Sequence, residues 1–196
     1  MPEEIFSAIV LAGGKSTRMG QDKAFLPFGD ERLIDRVIAR LQECFPQVIV
    51  VGASLDCLKN NGVKTVVDEK PGMGPMMGIL SGLKASATEL NFVMACDIPD
   101  FNHFFLKRML AMSPAYDVLV PRHGNGRHEP LFAVYHRRVI PLLQSFLDKG
   151  IKKIDLAFAQ CRQGYIDIGD DSWLVNINTP ADYAAYAGAQ KLRKQP

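Results

Sequence analysis

Ala8-Ile9-Val10-Leu11-Ala12-Gly13-Gly14-Lys15-Ser16-Thr17-Arg18-Met19-Gly20-Gln21-Asp22-Lys23 begins as an apolar run and turns abruptly to glycine and cation. The run Ala8–Leu11 shows no polar alternation and reads as a strand buried on both faces. Gly13 and Gly14 then permit close backbone approach, and Lys15, Arg18 and Lys23 supply positive charge within the next ten positions. A strand that ends in glycines and a basic loop can hold a triphosphate, because main-chain N–H groups and cations both meet phosphate oxygens there.

The spacing fits neither of two common phosphate motifs. A P-loop needs Gly-Lys-Ser/Thr after its second glycine, whereas Gly20 is followed by Gln21 and Asp22. A dinucleotide fingerprint separates its first two glycines, whereas Gly13 and Gly14 are adjacent. Read from these features alone, the segment is either a phosphate cradle or a basic surface loop.

Outward from this loop, short apolar runs alternate with amphipathic segments. Strands are expected at Ala8–Leu11, Val48–Val51, Thr65–Val67, Phe92–Ala95, Val118–Val120, Leu131–Tyr135 and Tyr165–Ile168. Leu33, Ile34, Val37, Ile38 and Leu41 share one helical face, as do Phe104, Phe105, Met109 and Met112, and later Val139, Leu142, Leu143, Phe146 and Leu147. Another helix is expected to start near Met77. A last helix covers Ala181 to Arg193, with Thr179 as N-cap and Pro180 at its first position. Alternating elements of this kind imply an α/β fold, a mostly parallel Rossmann-like sheet with helices on both faces. No repeat or linker interrupts the pattern, so residues 1–196 read as a single domain.

Composition narrows the classes of partner. A chain of 196 residues, 47% apolar and 22% charged, can bury a sizeable core. Its formal net charge of +2 does not suggest a nucleic-acid binder. No run of about 18 apolar residues predicts a membrane span, and Met1 to Ser7, with Glu3 and Glu4, does not read as a signal peptide. Cys44, Cys57, Cys96 and Cys161 form no C-x-x-C pair, which points to a reducing cytoplasm.

Several residues beyond the glycine loop can carry chemistry. Arg18 can fork onto two phosphate oxygens and Lys23 can act as a point charge, so either can stabilise a departing pyrophosphate. Asp97 follows Phe92–Cys96 and precedes Ile98-Pro99; a carboxylate at a strand tip can bind Mg²⁺, or it can serve a turn. Asp68 follows another strand and can accept hydrogen bonds from a base or ribose, or cap its own loop. Gly72-Met73-Gly74-Pro75-Met76-Met77-Gly78 can lie flat against a purine ring or form a plain turn. Asn176 and Asn178 alternate, so both amides can face one side of an extended segment. Lys152 and Lys153 can meet a phosphate or solubilise a helix. His128, just before Glu129-Pro130, can line the site, while His123 and His128 have no third ligand nearby for zinc.

The string Leu11-Ala12-Gly13-Gly14-x-Ser16-x-Arg18-Met19-Gly20-x-Asp22-Lys23 resembles the signature of the molybdenum cofactor guanylyltransferases, the MobA family. Gly74-Pro75-x-x-Gly78, Asp97-x-Pro99, Glu129-Pro130-Leu131 and Asn176-x-Asn178-Thr179-Pro180 fall in that family's order, so the resemblance spans nearly the whole chain. It implies a Mg²⁺-dependent transfer of GMP from GTP to molybdopterin, with pyrophosphate as leaving group. The resemblance places Leu11, Ala12, Gly13, Lys23 and Asp68 at the nucleotide, with Arg18 near its phosphates. It places Asp97 at Mg²⁺, and Asn176 and Asn178 toward the pterin. It also implies proteins that deliver or receive the molybdenum cofactor as partners. The Gly13-Gly14 pair resembles the guanine-using branch. Rival readings are a cytidylyltransferase for the same pterin, a sugar-phosphate nucleotidyltransferase, and a non-catalytic GTP-binding cofactor carrier. Two positions depart from the family pattern: Met76-Met77 stands where many members have Leu-Ala, and Gly52 stands where some have asparagine.

Overall fold

The structure, a computed structural model, describes residues 6–13, 23–28, 31–53, 55, 58, 62–70 and 72–193, with the backbone alone for 23 and 190–193. In chain order the elements are β1 (Phe6–Leu11), a 3₁₀ turn (Lys23–Phe25), β2 (Pro27–Phe28), β3 (Glu31–Arg32), α1 (Leu33–Gln42), β4 (Gln47–Val51) and β5 (Lys64–Val66). Then come α2 (Pro75–Ala85), β6 (Leu90–Ala95), α3 (His103–Met112), β7 (Val118–Arg122), β8 (Phe132–His136), α4 (Ile140–Asp148), α5 (Ile154–Phe158), β9 (Gln163–Asp167) and α6 (Pro180–Arg193).

Among the described residues these strands form a seven-stranded sheet of order β5-β4-β1-β6-β8-β7-β9. The β5, β4, β1 and β6 strands run parallel, whereas β8 runs antiparallel to both β6 and β7, and β9 is parallel to β7. The chain leaves β1 through α1 toward β4 and later places β6 on the other side of β1. The crevice at the carboxyl ends of β1 and β6 is therefore a topological switch point, where open α/β sheets bind ligands.

Strand parity divides the core. Ala8 and Val10 of β1 face a cluster with Ile34, Val37 and Leu41 of α1 and Phe105 and Met109 of α3. Ile9 and Leu11 face the other way, into a cluster with Ile79, Leu80 and Leu83 of α2 and Leu143 and Phe146 of α4. The two-faced burial expected of Ala8–Leu11 is met: Ala8, Ile9 and Val10 are wholly inaccessible. Burial of each such aliphatic side chain contributes about 1.5–3 kcal/mol, which ties the β1 tip rigidly to the sheet.

All seven expected strands occur, with shifted ends. Val67, expected at the end of a strand, is 62% exposed and lies past β5, whose last residue is Val66. The helix expected near Met77 begins at Pro75 instead, because Gly74 takes φ +83° as its N-cap and proline suits the first helical position. Short elements beyond those expected also occur among the described residues, including the β2–β3 hairpin and α5, which is only five residues long. Both are too short to generate a periodic signal.

The final helix closes the molecule onto its beginning. Thr179 Oγ1 accepts from Asp182 N–H at 3.1 Å, and Asp182 Oδ2 accepts from Thr179 N–H at 2.8 Å, so the expected N-cap is a reciprocal capping pair. Tyr186 of α6 then packs with Phe28, Leu33 and Ile177 in a separate small cluster. The Phe28 and Tyr186 ring centroids are 5.1 Å apart.

Candidate active site

The carboxyl end of β1 is joined on both sides by main-chain hydrogen bonds. Ala12 N–H donates to Val51 O at 2.8 Å, and Cys96 N–H donates to Leu11 O at 3.1 Å. Leu11 and Ala12 are buried while Gly13 is exposed, so the chain emerges at Gly13 between the tips of β4 and β6. Lys15 and Arg18 lie outside the described residues. Lys23 begins the 3₁₀ turn ahead of the β2–β3 hairpin, and its side chain is also outside them.

Asp68 lies below this exit. A Cβ built on Gly13 would stand 3.9 Å from Asp68 Oδ2, and one on Gly78 would stand 3.6 Å from Asp68 Oδ1. Glycine at both positions places no side chain of its own over the carboxylate. Among the described residues its Oδ1 is buried without a hydrogen-bond partner, and burial raises the carboxyl above its ordinary pKa. An acceptor left unsatisfied at a switch point is suited to a ligand N–H or O–H.

Gly52 gives its departure from the family pattern a steric reason. Its N–H donates to Val66 O at 3.0 Å, and a Cβ there would come within 2.9 Å of Ala12 O. At this backbone spacing position 52 accepts no side chain without a shift of the main chain.

Asp97 follows β6 and is half-buried. Two other segments converge on it. Ala95 N–H donates to Leu131 O at 2.9 Å, which sets Glu129-Pro130-Leu131 beside the strand tip. Ile177 N–H donates to Asp97 O at 2.8 Å, which draws in the Asn176–Asn178 segment from eighty positions downstream. Ile177 is fully buried, so the asparagines flank an apolar anchor. Asn176 is half-buried and Asn178 is exposed, with Asn178 N–H donating to Asp182 Oδ2 at 2.9 Å.

Asn176 lines a cleft of about 650 Å³ between α1 and α6. Its other walls include Arg36, Arg40, Asp100, Trp173 and Tyr186. Asp100 Oδ1 pairs with Arg36 at 3.3 Å and Arg40 at 3.0 Å, and its Oδ2 accepts from the Tyr186 hydroxyl at 2.7 Å. Burial, with the Asp100 carboxylate adding to it, pushes the Tyr186 phenol well above its ordinary range. These residues are absent from the sequence reading. The available signal was a pair of arginines four apart on a helix whose other inward positions are apolar.

Two other sequence candidates find local partners. Lys152 Nζ donates to Gly72 O at 3.0 Å, fastening the loop before α2. His128 stacks on Tyr165, with centroids 4.6 Å apart.

Among the described residues no group of three or more His, Cys, Asp or Glu side chains could hold a metal ion. Mg²⁺ does not require one, since it binds through one or two carboxylates together with water and substrate phosphates. An oxygen donor such as Asp97 on a strand tip fits that chemistry.

The family model of the MobA-like NTP transferase domain matches residues 8–161, from within β1 to just past α5. The chain belongs to the MobA-like NTP transferase family. A molybdenum cofactor guanylyltransferase of Vibrio parahaemolyticus is 34% identical over 184 residues, 92% of this chain and 94% of that protein. A probable molybdenum cofactor guanylyltransferase of Pelotomaculum thermopropionicum is 36% identical over 183 residues, 90% of this chain and 89% of that protein. The crystal structure of molybdopterin-guanine dinucleotide biosynthesis protein A from Archaeoglobus fulgidus superposes with a TM-score of 0.80 at 22% identity. That likeness covers 95% of this chain and 99% of that one, and it establishes the shared MobA-like fold. Among the described residues no helix is long and apolar enough to cross a membrane.

Proposed function

We propose that this chain transfers GMP from GTP to molybdopterin, releasing pyrophosphate and forming molybdopterin guanine dinucleotide. The observation that carries this reading is the identity of 34–36% to molybdenum cofactor guanylyltransferases over nine-tenths of the chain.

In this reading GTP lies across the carboxyl end of β1. The main chain of Leu11, Ala12 and Gly13 borders the nucleotide, and Asp68 accepts hydrogen bonds from its base or ribose. Support for that role comes from the orphaned Oδ1 and the missing side chains at Gly13 and Gly78. Lys23 and Arg18 bind the phosphates and stabilise the charge that develops on pyrophosphate. Asp97 would hold Mg²⁺, which when bound neutralises phosphate charge and lowers the repulsion met by an anionic nucleophile.

Molybdopterin enters from the side of Asn176 and Asn178, whose amides offer donors and acceptors to a polar heterocycle. Its terminal phosphate attacks the α-phosphorus of GTP, forming the new P–O bond as the bond to pyrophosphate breaks. That nucleophile is already anionic at neutral pH, so the protein has to align it rather than deprotonate it.

The test is pyrophosphate release with GTP, CTP, ATP and UTP, each with and without molybdopterin. Release with GTP that depends on molybdopterin is the expected result. CTP turnover without GTP turnover would assign a cytidylyltransferase, and GTP binding with no release in the presence of molybdopterin would assign a carrier.

A further inference from the structure

His123 is a buried polar side chain that the proposed chemistry leaves unused. It begins the turn between β7 and β8 and is only 5% exposed. Its Nδ1 is 2.7 Å from Asp171 Oδ2 and its Nε2 is 2.8 Å from Glu129 Oε1. Arg127 Nη2 also lies 3.0 Å from Nε2, so the ring stands between Asp171 at Nδ1 and the Glu129–Arg127 pair at Nε2. Its two nitrogens point to opposite partners, which makes the imidazole a bridge and not half of a metal site.

The two acids belong to different parts of the site. Glu129 is 13% exposed, also pairs with Arg127 at 3.0 Å, and precedes the Leu131 carbonyl that bonds the β6 tip. Asp171 sits in the 169–179 loop. Within that loop Leu174 N–H returns to Asp171 O at 2.9 Å, and the Trp173 ring packs on Phe105 and Phe132 at 5.1 and 5.7 Å. Three residues past Leu174, Ile177 N–H reaches Asp97 O. The loop is therefore pinned at both ends, by His123 through Asp171 and by Asp97 through Ile177, with Asn176 held between them.

We propose that His123 is a positioning residue for the acceptor substrate: by bridging Glu129 to Asp171 it sets the 169–179 loop, and with it Asn176, over the β6 tip. This assignment rests on the guanylyltransferase reading for what the loop binds, but the bridge itself is a separate claim. Its consequence is directional. Loosening the bridge displaces one edge of the cleft and leaves the β1–Asp68 floor untouched, so acceptor affinity changes without nucleotide affinity.

Asp171 offers the cleaner test, because its side chain is 57% exposed and its loss threatens the core less than loss of His123. Asp171→Ala is expected to raise KM for molybdopterin about 5–10-fold, the size of a lost charge-assisted hydrogen bond. KM for GTP should stay within about twofold, since no partner of the floor is removed. Asp171→Asn keeps a carbonyl oxygen for Nδ1–H and should recover most of the loss. In the protein without substrates, amide exchange at Asn176 and Ile177 should accelerate in Asp171→Ala while Ala12 and Cys96 keep their protection. Equal changes in both KM values, an unchanged KM for molybdopterin, or unaltered exchange at Ile177 would overturn the bridge. Failure of the unaltered enzyme to release pyrophosphate would instead overturn the guanylyltransferase reading, and the exchange result would still decide the bridge.

Discussion

The β5-β4-β1-β6 half of the sheet and the β8-β7-β9 half meet at Asp97 and are built on different rules. The first half is parallel throughout, and it gives the site the main chain at Gly13 and Gly52, the loop before α2 and the Asp68 carboxylate. The second half reverses direction at β8. In a parallel sheet only strand ends reach the ligand edge, whereas antiparallel β8 brings its beginning there, so Glu129-Pro130-Leu131 lies beside the β6 tip. The loop after β9 adds the asparagines. One half offers a floor fixed by sheet hydrogen bonds; the other offers a wall held by the main-chain bonds of Leu131 and Ile177 and by side-chain contacts such as His123 with Asp171. In the proposed reaction the floor takes the nucleotide and the wall takes the acceptor.

Substitutions can separate the halves. The largest effect is expected at the seam: Asp97→Asn should lower turnover by about 10²–10³-fold whichever substrate is varied, measured by pyrophosphate release at several Mg²⁺ concentrations. Full Mg²⁺-dependent turnover in that variant would remove Asp97 from the metal role. On the wall, Asn176→Ala should raise KM for molybdopterin about tenfold and leave KM for GTP alone; a matching rise for GTP would erase the distinction between halves.

On the floor, Asp68→Asn should weaken GTP binding while stabilising the empty protein. Burial raises the folded-state pKa of Asp68, so folding is favoured by this group below its unfolded pKa, and that contribution is lost as pH rises through the folded value. The variant lacks that loss. It should melt above the parent at neutral pH. The gain should vanish at pH about 3, below the ordinary carboxyl range. Thermal scans at both pH values check the sign, and an equal or lower Tm at neutral pH would mean that Asp68 is satisfied in the empty site.

Much of the floor was legible in the sequence because it is local. Ala8–Leu11, Val48–Val51 and Phe92–Ala95 are continuous apolar runs, and each ends in residues that recur in the site. The wall was legible only as separate fragments. Asn176 and Asn178 could be read as amides facing one side, but Ile177 between them, wholly buried and bonded to Asp97, carries no signal of that destination. Arg36 and Arg40 lie on an amphipathic helix, and only the folded chain brings Asp100 to both and Tyr186 of α6 to Arg36. His123 and Asp171 are 48 residues apart, and nothing in either neighbourhood announces the other.

The sequence by itself determined the α/β class, the strand that presents Gly13, and the residue types able to hold phosphate and metal, because apolar period and turn chemistry act over a few neighbouring residues. Only the tertiary structure decided that β8 enters the sheet antiparallel, that α6 folds back onto Phe28, and that Asp97 joins the floor to the wall. Those outcomes depend on which buried faces and unpaired N–H and C=O groups can satisfy one another across the whole chain, and that pairing is a property of the packed molecule.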